Sequence, residues 1–190
     1  MKEAPRTLRL RSCGFALVLG LFLILPATVA STSTTQCATV RDSVAIGKSV
    51  RVDAGSAQAH QRALAAAIQQ WARCPGYGQA FPSFVTDAEG FRTVQIDFRD
   101  QSHGSVCGEF SRNTITVYAW AFNALGRRVH CAPPSTTLTH ELGHVLGLLD
   151  APREARCESF IMAADNLYGP AREIDSSECA QVAAHWKAAD

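Results

Sequence analysis

The sequence lacks an excess of either charge: 18 lysines and arginines stand against 17 aspartates and glutamates in 190 residues. A polybasic nucleic-acid tail and an acidic tail are both excluded, and no broad field steers the chain toward a charged polymer. It also lacks an apolar run long enough to span a bilayer. The longest, residues 15–25, would rise only about 16 Å as a helix, against roughly 30 Å of hydrocarbon. No two cysteines form a Cys-x-x-Cys pair, so a thiolate zinc knuckle has no starting point. There is no Asn-x-Ser/Thr acceptor, no internal repeat and no low-complexity linker. Only two methionines occur, Met1 and Met162. With 47% apolar and 18% charged residues, the composition is globular and excludes a disordered or collagen-like chain.

What is present begins with a leader. Lys2, Arg6, Arg9 and Arg11 precede the apolar run, and Pro26, Ala27, Thr28, Val29 and Ala30 follow it. This order is that of a secretory signal peptide cleaved after Ala30. The expected product is one domain over residues 31–190, in an extracellular location. Cys13 leaves with the leader, and Cys37, Cys74, Cys107, Cys131, Cys157 and Cys179 remain. An even number in an exported chain reads as three disulfides, with connectivity left open among fifteen pairings. A free catalytic thiol is the competing use, and the even count argues against it.

Residues 44–52 hold a short apolar alternation suited to a first strand. Residues 55–73 are Ala-rich, and His60, Leu64, Ile68 and Trp71 share one helical face; His60 there reads as a packed or capping residue. Pro75-Gly76 ends that helix. Residues 93–99 alternate, with Val94, Ile96 and Phe98 on one side, and residues 114–120 repeat the pattern with Ile115, Val117 and Ala119. The stretch 101–108 between them reads as a polar loop. Pro133-Pro134-Ser135 leads into a second helix. Asp175 with Glu178 three residues later resembles a capping box opening a last helix whose inward stripe is Cys179, Val182 and Trp186. Strands and helices in this order give an α+β class rather than a regular βαβ series.

Residues 140–150 read His-Glu-Leu-Gly-His-Val-Leu-Gly-Leu-Leu-Asp. His140 and His144, four apart on a helix, present both imidazoles to one ion. Leu138, Leu142 and Val145 point the other way, into a core. Glu141 lies about 100° round the helix from His140, a place for a base acting on metal-bound water. A catalytic zinc takes three protein ligands plus water. Position 148 is Leu, so the helix itself offers no third. Gly147 can adopt the left-handed backbone that ends a helix, and Asp150 then arrives where a turned chain brings its carboxylate back. His103 and His130 lack any such spacing and read as loop or surface residues.

These residues resemble the metzincin metallopeptidases, whose zinc motif is HExxHxxGxx followed by His or Asp; the Asp form is similar to the snapalysin-like secreted bacterial neutral proteases. The resemblance implies a metzincin-like zincin domain: a mixed twisted sheet, an active-site helix, a Met-turn and a C-terminal helix. Met162, in Cys-Glu-Ser-Phe-Ile-Met, matches the Met-turn methionine. The strand around residues 115–120 would be the edge that aligns bound peptide, and Cys157 and Cys179, flanking the Met-turn, would be bridged. The nearest tyrosine after Met162 is Tyr168. The implied activity is that of a zinc-dependent endopeptidase. Zn2+ would be held by His140, His144 and Asp150, a zinc-bound water would attack the peptide bond, and Glu141 would act as general base. Ca2+ is a second cofactor to consider in such a fold, with Asp87, Asp97 and Asp100 as candidates of weak signal. The expected partner is a peptide or protein substrate, with no nucleic acid, no membrane after leader removal, and a monomeric state.

Two other readings stand beside it. A gluzincin arrangement would take its third ligand from a later helix, at Glu173 or Glu178; the Gly147–Asp150 spacing speaks against it. A secreted, disulfide-stapled binding protein with a non-catalytic metal site would need a fourth protein ligand if its zinc were structural.

Overall fold

The computed structural model describes residues 37–41, 49–86, 92–102, 104–163 and 172–187. The expected leader, the first half of the 44–52 strand, Asp87, His103 and Tyr168 lie outside the described residues. The elements run β1 (Ser49–Asp53), α1 (Gln58–Ala72), β2 (Ser83–Val85), β3 (Arg92–Gln101), β4 (Gly108–Ser111), β5 (Thr114–Phe122), β6 (Arg128–His130), α2 (Pro134–Val145) and α3 (Ser176–Lys187), with a short 3-10 turn at Ala155–Cys157 before α3. The class is α+β with a mixed sheet.

The sheet order is β2-β1-β3-β5-β4, with β6 also paired to β5. β1, β2, β3 and β5 run parallel, and β4 and β6 run antiparallel to β5. One side of β5 is taken by β3. On the other side β4 covers residues 114–117 and β6 covers residues 120–122. The strand expected to be the edge is therefore interior. The edge beside it is β4, which starts at Gly108, the last residue of the stretch read as a polar loop, and continues through residues 109–111, where no element is expected from the sequence. Gly-Glu-Phe-Ser is too short and too polar to show a period of two, and pairing to β5 rather than its own composition makes it a strand.

Alternation in β3 and β5 buries Val94, Ile96, Ile115 and Val117. They form one core with Leu64, Ala67 and Trp71 of α1 and Leu138, Leu142 and Val145 of α2. Tryptophan and histidine contacts join these elements. The Trp71 indole N–H donates to the Thr139 carbonyl at 2.9 Å, and the Trp186 N–H donates to the Leu146 carbonyl at 3.0 Å. Backbone of α2 is thus gripped from both α1 and α3, which satisfies two buried indole donors. His60 stacks on Phe98 with ring centroids 3.8 Å apart, a packing role as expected. His130 lies over Trp120 at the exposed end of β6.

The disulfides are Cys37–Cys157, Cys74–Cys179 and Cys107–Cys131. The Cys157–Cys179 bridge implied by the resemblance does not form. Cys179 faces the end of α1, where Cys74 follows the helix, whereas Cys157 faces the N-terminal segment. Cys107 and Cys131 close the seam between β4 and β6: Tyr118 N–H donates to the Cys107 carbonyl and Cys131 N–H to that of Ala119.

Candidate metal centre

α2 begins at Pro134, whose fixed φ suits a first helical position. It ends at Val145, where Gly147 turns the chain with φ +98°, a backbone region that glycine enters at no steric cost. That turn returns Asp150 to the helix. Asp150 Oδ1 lies 3.2 Å from His140 Nε2 and 3.5 Å from His144 Nε2. The three side chains named from the motif spacing are together.

The far side of each ring decides what the near side offers. His140 Nδ1 is 2.8 Å from the Ile161 carbonyl, and His144 Nδ1 is 2.8 Å from the Leu148 carbonyl. A carbonyl only accepts, so each Nδ1 carries the proton and donates it. In the neutral ring Nε2 then presents a bare lone pair. Two lone pairs facing one carboxylate oxygen repel unless a cation stands among them. Zinc bonds of about 2.0–2.2 Å at a tetrahedral angle put neighbouring donors about 3.3 Å apart, a spacing that the 3.2 and 3.5 Å separations bracket. The donor set and its spacing fit a small divalent metal ion.

Without a metal, the same geometry shifts protons. Hydrogen bonds from His140 and His144 hold the Asp150 carboxyl far below the usual carboxylate range, against its partial burial. Burial pulls the His144 imidazole down, but the Asp150 hydrogen bond, the Glu141 charge and the Leu148 carbonyl outweigh it and leave its pKa raised.

Glu141 is buried on the same helix, and its Oε2 has no hydrogen-bond partner. Burial raises its carboxyl above the ordinary glutamate range, while the nearby histidines pull it down. Ligand atoms of His140, Glu141 and His144 all lie within 4.8 Å of one another, so Glu141 is itself within reach of an ion. Asp150 Oδ1 touches both rings, so two carboxylates, Asp150 and Glu141, stand beside the paired imidazoles.

Several contributors are absent from the motif. Gly108, on the edge strand, faces Glu141: a Cβ there would stand 2.5 Å from Glu141 Oε1 and 2.6 Å from Thr137 Cγ2. Gly143 fills a position that the motif leaves open, and a Cβ on it would collide with the Met162 sulfur and crowd Trp71. Met162 is fully buried, with its sulfur against Gly143 of α2. Its carbonyl accepts the Ala151 N–H at 2.8 Å, so the turn that supplies the Ile161 carbonyl to His140 also holds the neighbour of Asp150. On the other side, residues 37–41 lie along residues 147–149. Arg41 N–H donates to the Gly147 carbonyl at 2.8 Å, and Leu149 N–H donates to that of Thr39 at 2.9 Å. Composition alone marks none of these; the lone internal methionine is the one sequence signal among them.

The other candidates do not join. Glu178 spends both carboxylate oxygens on backbone N–H groups, and Glu173 is an exposed residue 3.9 Å from Arg73. Asp97 pairs with Arg99 at 2.8 Å on the sheet. Among the described residues, the group of metal-type side chains that converges is the one around His140 and His144.

No family model matches the chain, and no curated protein matches it.

Proposed function

We propose that the chain is an exported, zinc-dependent endopeptidase of metzincin type, with its motif nearest to the snapalysin-like proteases. One observation carries this reading. Two imidazoles whose Nδ1 protons are committed to carbonyls aim their Nε2 lone pairs at one Asp150 oxygen, with a buried, unpartnered carboxylate oxygen of Glu141 alongside. His140, His144 and Asp150 would hold the ion, and imidazole with carboxylate is a donor set that suits zinc. A bound zinc supplies Lewis-acid activation of water and of a peptide carbonyl. Glu141 takes the proton of the attacking water and returns it to the leaving amine.

The edge strand supports a peptide as substrate. Among the described residues no strand pairs with the outer side of β4, and extended peptides recognise such edges through main-chain hydrogen bonds. Gly108 brings this edge against Glu141. Export is supported by the basic, apolar and small-residue order of residues 1–30 and by three disulfides. No helix among the described residues is long and apolar enough to cross a membrane.

The test pairs two measurements on the oxidised protein: metal content, and cleavage of casein with and without a chelator followed by zinc add-back. One zinc per chain with chelator-sensitive cleavage supports the reading. Stoichiometric metal without cleavage turns it into the alternative, a disulfide-stapled binding protein with a non-catalytic metal site. Absence of metal under zinc saturation overturns both.

A further inference from the structure

Glu178 is completely buried at the start of α3, and its carboxylate does more than cap that helix. Capping accounts for one bond: Oε2 accepts the Asp175 N–H at 2.8 Å, while Asp175 Oδ1 accepts the Ser177 N–H at 2.8 Å in return. Two further bonds leave the helix altogether. Oε2 accepts the Ile161 N–H at 3.3 Å, and Oε1 accepts the Met162 N–H at 2.9 Å. The Met162 N–H and the Ile161 carbonyl belong to the same peptide group. The carbonyl end of that group accepts the His140 Nδ1 proton at 2.8 Å.

A carboxylate at the N–H end of an amide draws charge toward its carbonyl oxygen and makes that oxygen the stronger acceptor. Metal-ligating histidines commonly donate their second ring proton to a carboxylate or a carbonyl, which fixes the tautomer and raises the basicity of the ligating nitrogen. Here a carboxylate and a carbonyl stand in series, joined by one peptide bond. We infer that Glu178 is a positioning residue for the metal site: through the Ile161–Met162 peptide it holds His140 in the Nδ1–H form and strengthens Nε2 as a donor to the ion. The inference rests on reading this site as a metal centre. His144 is outside the relay, because its Nδ1 proton goes to Leu148.

His144 therefore serves as an internal reference. The experiment uses the full oxidised chain as wild type, Glu178→Gln and Asp175→Ala. The last variant loses the side-chain cap of α3 yet keeps the carboxylate that grips the turn. Zinc affinity is measured by competition with a chromophoric chelator, and imidazole 15N shifts are recorded on metal-free protein at mildly alkaline pH. Glu178→Gln is expected to weaken zinc binding about 10–100-fold and to move the His140 ring signals while those of His144 stay in place; Asp175→Ala is expected to bind zinc as the wild type does. Unchanged affinity and unchanged His140 signals in Glu178→Gln overturn the inference, as does an equal loss in both variants, which would mark a general loosening of α3. If Glu178→Gln does not fold, the wild-type spectrum decides: a His140 ring protonated on Nδ1 supports the relay, and one protonated on Nε2 overturns it. Failure of the wild type to bind zinc is a different result, and overturns the metal reading itself.

Discussion

His140 and His144 sit one helical turn apart and face the same Asp150 oxygen, yet different parts of the molecule hold them. The His140 side chain is 3% exposed and gives its Nδ1 proton to a carbonyl 21 residues further along. The His144 side chain is 23% exposed and gives its proton to a carbonyl only four residues on. One half of the site is closed by its own loop, and the other by a turn that α3 has to bring in. The local half is not self-sufficient either. The Leu148 carbonyl sits in a segment whose neighbours on both sides bond to residues 39 and 41, and Cys37–Cys157 pins that strap. A motif of eleven residues thus states where the donors are, while two distant segments determine how firmly each is aimed.

The largest expected effect removes the chemistry without touching either half. Glu141→Gln should lower kcat about 10²–10⁴-fold with zinc content unchanged, measured as cleavage rate per bound metal; loss of metal together with rate would make Glu141 a ligand instead. Asp150→Ala cuts the oxygen both rings share, and zinc affinity by chelator competition should fall at least about 100-fold; a retained affinity would point to Glu141 as the third ligand. Paired Cys37→Ser and Cys157→Ser substitutions attack the His144 half. They should cost about 2–5 kcal/mol in denaturant unfolding, and the His144 ring signals should move more than those of His140. The reverse order would erase the distinction between the halves. Gly108→Ala presses on neither histidine but on Glu141, and should lower kcat about 10-fold or more at constant zinc content, since small displacements of reacting groups are costly. The smallest effect is expected from Trp71→Phe. It removes one buried hydrogen bond to the α2 backbone and should lower stability by about 1–2 kcal/mol with both ring signals nearly in place.

How much of this is legible in the sequence depends on how far apart the cooperating residues lie. α1, β3, β5, α2 and α3 follow from periodicity, because each carries a buried face long enough to repeat. The short strands β2, β4 and β6 carry no such repeat, so nothing in the sequence sets β4 outside β5, and the edge position that the resemblance implies for β5 belongs to β4. Gly147 was readable as a turn, because its positive φ has a residue-type signature. The capping role of Glu178 was readable from its spacing to Asp175; its grip on Ile161 and Met162 was not, because nothing in the local sequence ties position 178 to position 161.

The amino-acid order alone determined that these side chains converge, since His140, Glu141, His144, Gly147 and Asp150 fall within one helix and one turn, where 3.6-residue geometry and a single glycine suffice to bring them together. Only the tertiary structure decided the cysteine pairing, the identity of the edge strand and the carbonyls that set each ring's tautomer. Those depend on which distant surfaces meet once the apolar faces are buried, and hydrogen bonds between segments leave no periodic mark on either one.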